Sequence, residues 1–218
     1  MRNVAMLRTM TRTLAALLAR PAFPVLLTIT LALAGCGFSL APTPDPTVFF
    51  VLSPVESAEP QRQQSSIHVG LGPISLPEYT AETKIVRRTG EASVDYIPMA
   101  QWAEPVEDGF SRALLQDLIG HLGSPYVVMY PWYATRELNL SIPVNVVRFE
   151  TAHDGSAVLT ARWRVEEIST RRLIVSRESR IVEPAAGPGT DAVVAALNRA
   201  IDRLAREMST TLLSLRRQ

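Results

Sequence analysis

Cys36 is the only cysteine in the chain, and it closes the run Leu33-Ala34-Gly35-Cys36 directly after an apolar stretch. Small residues before a lone cysteine, at the end of a hydrophobic segment, form the lipobox pattern of bacterial lipoprotein signal peptides. In that chemistry the thiol is diacylated, the preceding peptide is cut away, and the new amino terminus is acylated. Cys36 therefore predicts compartment, membrane attachment and mature length together.

The residues before Cys36 have the composition of a secretory signal. Their charges are all positive, no acidic residue occurs before Asp45, and residues 24–34 form an apolar core. A transmembrane helix needs about 20 apolar residues, so this core is too short to span a bilayer. The pattern favours a lipoprotein signal over residues 1–35 rather than a plain transmembrane anchor or a buried core thiol at Cys36. The positive charges are Arg2, Arg8, Arg12 and Arg20.

The residue after the cysteine bears on the final membrane. Each buried methylene contributes about 0.8 kcal/mol, so one acyl chain binds reversibly, whereas two or more hold a protein firmly. Gly37 follows Cys36. In enteric bacteria an Asp at this position retains lipoproteins at the inner membrane, and Gly permits export. We therefore expect anchoring in the outer membrane, facing the periplasm of a Gram-negative bacterium, in preference to the inner membrane.

Removal of the signal changes the charge balance. The whole chain has 22 basic and 21 acidic residues, and residues 1–35 hold four arginines and no acid, so the mature net charge is −3. A chain with this balance has no strongly basic surface, and we expect no nucleic-acid partner. Residues 36–46 form a lipidated, proline-rich tether, because prolines favour extended, unpaired backbone. Residues 47–218 are expected to form a single domain.

The apolar patterns predict an α/β fold. Helices are expected over 104–122 and from Thr190 onward, because apolar residues recur there at spacings of three and four. Strands are expected where β-branched and aromatic runs or alternation occur. The order of elements predicts a mixed β-sheet with amphipathic helices packed on it. The predicted strands cover 47–52, 67–71, 84–89, 94–97, 126–129, 138–150, 156–168 and 172–182.

Pro143 lies within the long strand predicted at 138–150. Proline cannot donate to a sheet ladder, so this strand is expected to lie at an edge or to carry a bulge. The apolar face changes at Val147 and Phe149, which favours a bulge there.

The mature chain shows no catalytic or metal-binding motif. Nucleophilic catalysis needs a base beside a nucleophile, and neither a free cysteine nor a G-x-S-x-G elbow is present. His68, His121 and His153 lie far apart without an accompanying motif. No grouping of the H-E-x-x-H kind predicts a metal. We therefore expect a non-enzyme with no catalytic residue, no metal and no cofactor.

Three groups of side chains remain to be interpreted. The carboxylates of Glu104, Glu107 and Asp108 are expected to favour the start of a helix, where negative charge is stabilised. A stripe of arginines is open to two interpretations: contact with phosphate headgroups, or cross-strand pairing with glutamates, which we favour. The stripe comprises Arg162, Arg164, Arg177 and Arg180.

The tryptophans differ in their surroundings. Trp102 and Trp163 are expected in the core. Trp132 and its neighbour Tyr133 are either a partner contact or a plug at the core edge that ties down a loop.

These segments resemble the ABC-type transport auxiliary lipoprotein family, the PqiC-like lipoproteins associated with MCE systems. The specific part is a G-P-I-S-L-P-x-Y segment followed by W-A-E-P, and the order and spacing of the matches extend over nearly the whole mature chain. The matching segments are 69–79 (VGLGPISLPEY), 102–108 (WAEPVED), 130–132 (YPW), 144–150 (VNVVRFE), 161–163 (ARW) and 183–184 (EP).

The resemblance implies a non-catalytic, outer-membrane-anchored subunit of an MCE-type system that moves lipids between membranes and maintains envelope integrity. It implies an MCE-family protein and its inner-membrane permease as partners, and a homo-oligomeric ring as a possible assembly. The implied fold is an α/β/α sandwich similar to the anticodon-binding-domain-like and TolB amino-terminal folds. Cys36 is the only residue to which the resemblance assigns a defined chemical role. The alternative is a free-standing outer-membrane lipoprotein that binds a small ligand or peptidoglycan.

Overall fold

Alternating burial defines the long hairpin near the carboxyl end of the chain. A computed structural model describes residues 45–55, 67–132 and 138–216. In the strand at Ala157–Glu167, every second residue from Ala157 to Val165 is buried, and polar side chains face away from the core. The expected half-buried strand is confirmed.

The remaining elements follow the expected patterns closely. The first helix begins at Val106, directly after Pro105, rather than at residue 104, and the strand expected to end at residue 97 continues to Trp102. The elements in chain order are β1 (Val48–Phe50), β2 (Val69–Ser75), a 3-10 turn (Glu78–Thr80), β3 (Lys84–Arg88), β4 (Val94–Trp102), α1 (Val106–Leu122), β5 (Val127–Met129), β6 (Leu140–Thr151), β7 (Ala157–Glu167), β8 (Leu173–Glu183) and α2 (Thr190–Leu215).

The described strands form one mixed, eight-stranded sheet around β6. One edge of β6 pairs with β7 in antiparallel fashion, and β7 pairs with β8. The other edge pairs first with β2 and then, at Thr151, with β3, both parallel. Two branches therefore leave this edge of β6: β2 and β5 form one, and β3, β4 and β1 form the other.

Pro143 lies in a central strand, so of the two expectations, an edge or a bulge, the edge is wrong and an irregularity is present. The ladder accommodates it by irregular pairing: between β2 and β6 the register shifts from Leu71 with Ile142 to Ile74 with Val144. The bulge expected near Val147 is confirmed, because the pairing of β6 with β7 shifts between Val146 and Arg148.

Both helices pack on the sheet and on each other through the predicted apolar faces. Phe110 of α1 meets Phe149 of β6 edge to face, with ring centroids 5.2 Å apart. The α/β class with a mixed sheet and packed helices is confirmed. The described residues place both helices in one layer, whereas the expected sandwich has two. No helix among these residues is long and apolar enough to cross a membrane. The buried helix positions are Val106, Phe110, Leu114, Leu118 and Leu122 in α1, and Val194, Leu197, Ile201, Leu204, Met208 and Leu212 in α2.

A polar contact between the helices is buried within this apolar layer. His121 Nε2 of α1 lies 2.6 Å from Asp202 Oδ1 of α2. One turn before His121, Asp117 Oδ1 accepts a hydrogen bond from the backbone N–H of Val55 at 2.9 Å. Asp117 is only 4% exposed, and its Oδ2 has no hydrogen-bond partner among the described residues. Burial, together with the nearby charge of Asp202, raises the pKa of Asp117 to about 7.

The raised pKa makes stability depend on pH. The folded protein binds the Asp117 proton more tightly than the unfolded chain does, so the free energy of unfolding should fall as pH rises from about 4 to about 7 and level off above it. Asp117→Asn keeps an oxygen acceptor for Val55 but carries no charge, so it should lack this part of the fall. Urea unfolding of both proteins between pH 5 and pH 8 measures the difference. Parallel stability curves would contradict the assignment.

Candidate docking surface

The sequence predicted three site residues, and one of them lies in the described part of the chain. Cys36 and Tyr133 lie outside the described residues, so their roles remain predictions. Trp132 is described and half-buried. Its surroundings on the β2–β5 branch define the candidate site.

Two glycines leave one face of β2 without side chains. β5 runs parallel to β2, with Val69 opposite Val127 and Leu71 opposite Met129. Val69 and Leu71 point into the core and are fully buried. Side chains alternate along a strand, so Gly70 and Gly72 face away from the core. This outer face of β2 is flat enough for aromatic rings to lie directly on the backbone.

Trp132 and Tyr130 occupy this flat face. A Cβ atom at Gly70 would lie 2.7 Å from Trp132 Cζ3, and one at Gly72 would lie 2.9 Å from Tyr130 Cβ. Gly72 also has a φ of 111°, which other residues rarely adopt. The Tyr130 and Trp132 rings meet edge to face, with centroids 5.3 Å apart. The two glycines of the G-L-G-P run therefore serve close packing under aromatic rings.

Exposed side chains of β5 and of the residues on either side of it extend this surface. We call Tyr126, Val128, Tyr130 and Trp132 the aromatic strip. Tyr126 is 49% exposed, Val128 42% and Tyr130 51%. His68 stacks on Tyr126 with ring centroids 4.2 Å apart and an interplanar angle of 17°.

The aromatic strip is suited to protein binding. Tyr and Trp are enriched at interfaces, because each combines a large apolar surface with a polar group. Among the described strands β5 pairs with β2 alone, so the strip borders an open sheet edge. Such edges accept an added strand from a partner. Trp132, for which the sequence predicted either a partner contact or a plug at the core edge, is part of this larger surface.

Sequence reasoning missed most of the strip. The run at 126–129 favoured a buried strand, but only Val127 of this run is buried. The alternation of Tyr126, Val128 and Tyr130 was the available signal, because it places three large side chains on one face. The glycines opposite them in β2 could not be paired with this run without the three-dimensional register.

The other candidate residues have structural partners. Glu104 receives two hydrogen bonds from Arg112, at 2.7 and 2.5 Å, and this guanidinium holds the pKa of Glu104 below its ordinary value. Glu107 and Asp108 lie in the first turn of α1, as expected. His121 is bound to Asp202. Within the described residues, no grouping of three or more His, Cys, Asp or Glu side chains could hold a metal ion.

The arginine stripe divides between the two faces of the β7–β8 hairpin. Arg162 of β7 donates to Glu178 of β8, so the favoured cross-strand pairing holds for this residue. Arg180 and Arg164 also pair with glutamates, Glu178 and Glu166, but each pair lies within one strand. Arg177 lies on the other face, opposite Trp163. Trp102 and Trp163 are buried, as expected.

Comparison with known proteins identifies the architecture. A family model for the ABC-type transport auxiliary lipoprotein component matches residues 50–209. The crystal structure of protein XCC0632 from Xanthomonas campestris superposes with a TM-score of 0.65 at 17% identity, covering 78% of this chain and 98% of that one. The crystal structure of an uncharacterized protein has a TM-score of 0.62 at 17% identity, covering 76% and 98%. At these identities the likeness shows the fold alone. No curated protein sequence matches the chain.

A methyl group at Gly70 should disturb the aromatic strip. Gly70→Ala places its Cβ against the Trp132 ring, so the indole must move, and overpacking of this kind costs about 1–3 kcal/mol of stability. The matched control is Gly120→Ala in α1, where a Cβ has no neighbour within 4 Å and should stabilise the helix by up to about 1 kcal/mol. Urea unfolding and tryptophan emission measure both effects. An unchanged stability and emission for Gly70→Ala would contradict the packing described here.

Proposed function

The chain belongs to the family of ABC-type transport auxiliary lipoprotein components, and on that premise we propose that it is the outer-membrane-anchored, non-catalytic subunit of an MCE-type lipid transport system. The family is one of auxiliary transport components rather than of enzymes. The proposal assigns Cys36 to the lipid anchor and the aromatic strip to the contact with the transport partner. It also includes assembly of several copies into a ring.

The observation that carries the docking role is the exposure of the strip. Tyr126 and Tyr130 each keep about half of their surface in solvent, although burial of an aromatic side chain is strongly favourable. Close packing on Gly70 and Gly72 holds Tyr130 and Trp132 in place before any partner arrives. Preorganised side chains lose little conformational entropy on binding, so the strip is a suitable anchor for a protein partner.

The anchor is tested at the cysteine. Cys36→Ala removes the thiol that would be acylated, so the protein should remain folded but appear in the soluble envelope fraction. Fractionation with immunodetection measures the distribution, and mass spectrometry of the amino-terminal peptide detects the acyl chains. Unchanged processing and membrane attachment of Cys36→Ala would refute the lipoprotein assignment. Separation of inner and outer membranes by density shows which membrane holds the wild-type protein.

The docking role is tested by capture of the transport partner. Affinity capture of the tagged full chain from detergent-solubilised envelopes should recover an MCE-family protein. Trp132→Ala and Tyr130→Ala should each reduce that recovery at least tenfold, because aromatic anchors at the centre of an interface commonly contribute about 2 kcal/mol or more.

Phe49→Ala is the matched control, since Phe49 is an exposed aromatic residue of β1 on the other branch of the sheet. Recovery lost with Phe49→Ala and kept with Trp132→Ala would move the docking surface to that branch. Repeated recovery of no transport component, together with a gene that has no MCE neighbour, would favour the free-standing lipoprotein instead.

A further inference from the structure

A cavity lies between the carboxyl-terminal half of α2 and the strand β8, away from the aromatic strip. Its volume is about 400 Å³, within the range of roughly 300–1,000 Å³ typical of small-molecule sites. We call it the α2–β8 cavity. Its polar lining includes Arg177, Ser179, Arg203, Arg206 and Glu207.

A buried hydrogen-bond relay fixes one wall of the cavity. The indole N–H of Trp163 donates to Ser179 Oγ at 2.9 Å, and the Ser179 hydroxyl donates to Glu207 Oε2 at 2.5 Å. Trp163 and Ser179 are buried, so this relay ties β7, β8 and α2 together. The carboxylate of Glu207 is therefore held in place by the fold.

Arg177 is the uncommitted cation of the cavity. It follows the alternation of β8, so its side chain shares a face with that of Ser179 and lies opposite Trp163. It is exposed. Among the described residues its guanidinium has neither an ion pair nor a hydrogen bond, whereas that of Arg180, three residues later on the outer face, is bound to Glu178.

The charge of the lining is positive. Arg203 pairs with Glu183 at 3.1 Å and Arg206 with Asp202 at 3.0 Å. Both arginine side chains are more than half exposed, at 56% and 65%, whereas the side chains of Glu183 and Asp202 are only 18% and 10% exposed. Each guanidinium has five N–H donors, so a ligand can bind it from the solvent side while the ion pair stays in place.

Glu178 also borders the cavity, but its carboxylate is occupied by Arg162 and Arg180 on the outer face. Three guanidinium groups, those of Arg177, Arg203 and Arg206, therefore face one anchored carboxylate, that of Glu207.

We propose that the α2–β8 cavity is a binding site for a phosphate group, held by Arg177 with Arg203 and Arg206. The planar guanidinium fork matches two phosphate oxygens at once, which makes arginine the preferred residue for bidentate recognition of phosphate. The cavity exceeds a lone phosphate, so it fits a phosphate ester whose remainder lies over Trp163. Glu207 selects an ester that also carries an ammonium or hydroxyl donor. The site is separate from the docking surface and does not depend on which transporter the chain serves.

The experiment titrates the purified full chain, in a neutral detergent at low salt, with three probes. These are inorganic phosphate, glycerophosphoethanolamine, and a short-chain phosphatidylethanolamine, each followed by phosphorus NMR line width and by calorimetry. Saturable binding should appear for at least one probe and should weaken at high ionic strength. Binding of inorganic phosphate as tight as that of the esters would identify a free phosphate as the ligand. Tighter binding of both esters would identify the headgroup.

Two variants on the same strand show whether the probes bind in the α2–β8 cavity. Arg177→Gln should weaken binding at least tenfold, since it removes the uncommitted guanidinium. Arg180→Gln removes an arginine from the outer face of β8, outside the cavity. Its affinity for the probes should therefore stay within about twofold of the wild-type value, since an exposed charge at a distance contributes little. Both residues are exposed, so both variants should fold. No binding of any probe to the wild-type protein at about 10 mM, or equal binding by Arg177→Gln, would overturn the proposal.

Discussion

The fold depends on β6 having partners on both of its edges. At its far end the backbone contact with β3 is a single pair, Arg87 with Thr151, so side chains must hold the second branch. Arg88 of β3 donates to both carboxylate oxygens of Glu150 in β6, at 2.5 and 2.9 Å. The Glu150 side chain is fully buried. Burial alone would raise its pKa, but the hydrogen bonds from Arg88 and Arg148 outweigh burial and hold the pKa below its ordinary value.

A carboxylate buried without a partner is strongly destabilising, so the Arg88–Glu150 ion pair holds β3, and with it the second branch of the sheet, against β6. Strand β6 also separates the two candidate sites. The aromatic strip lies on the outer face of β2 and β5, on one side of β6. The α2–β8 cavity lies beyond β7, on the other side of β6 and on the face that carries the helices. A protein bound at the strip and a phosphate bound in the cavity therefore do not compete for the same surface.

Local patterns predicted most of this structure because they report burial directly. The alternation in β7 and the three-and-four spacing in α2 each describe one face packed on the core, and both elements formed as expected. The alternation of side chains along β8 would also have placed Arg177 and Arg180 on opposite faces of the sheet, since they are three residues apart. Pro143 allowed two predictions, an edge strand or a bulge, and only the structure decides between them, because a register shift between two central strands accommodates the proline.

The non-local features could not be predicted in the same way. Gly70 and Trp132 are far apart in sequence, and their contact depends on the parallel register of β2 and β5. The α2–β8 cavity likewise requires residues of a strand and a helix that meet only in the folded chain. The sequence pattern indicates which face of an element is buried. Predicting a site that spans two elements also requires knowing which residues of the two elements lie side by side.

The branching of the sheet bears on how an anchored subunit could reach a partner. Gly70 pairs with Ser141 and Arg87 pairs with Thr151. Ser141 and Thr151 are ten positions apart in β6, which corresponds to about 33 Å. In the proposed arrangement the tether enters the domain at β1, on the β3 branch, whereas the strip lies on the β2 branch. A domain attached through β1 therefore carries its docking surface at an offset that is set by the position of the two branches along β6. Because the offset belongs to the sheet rather than to the tether, the strip can keep a defined geometry toward a partner even when the tether is flexible.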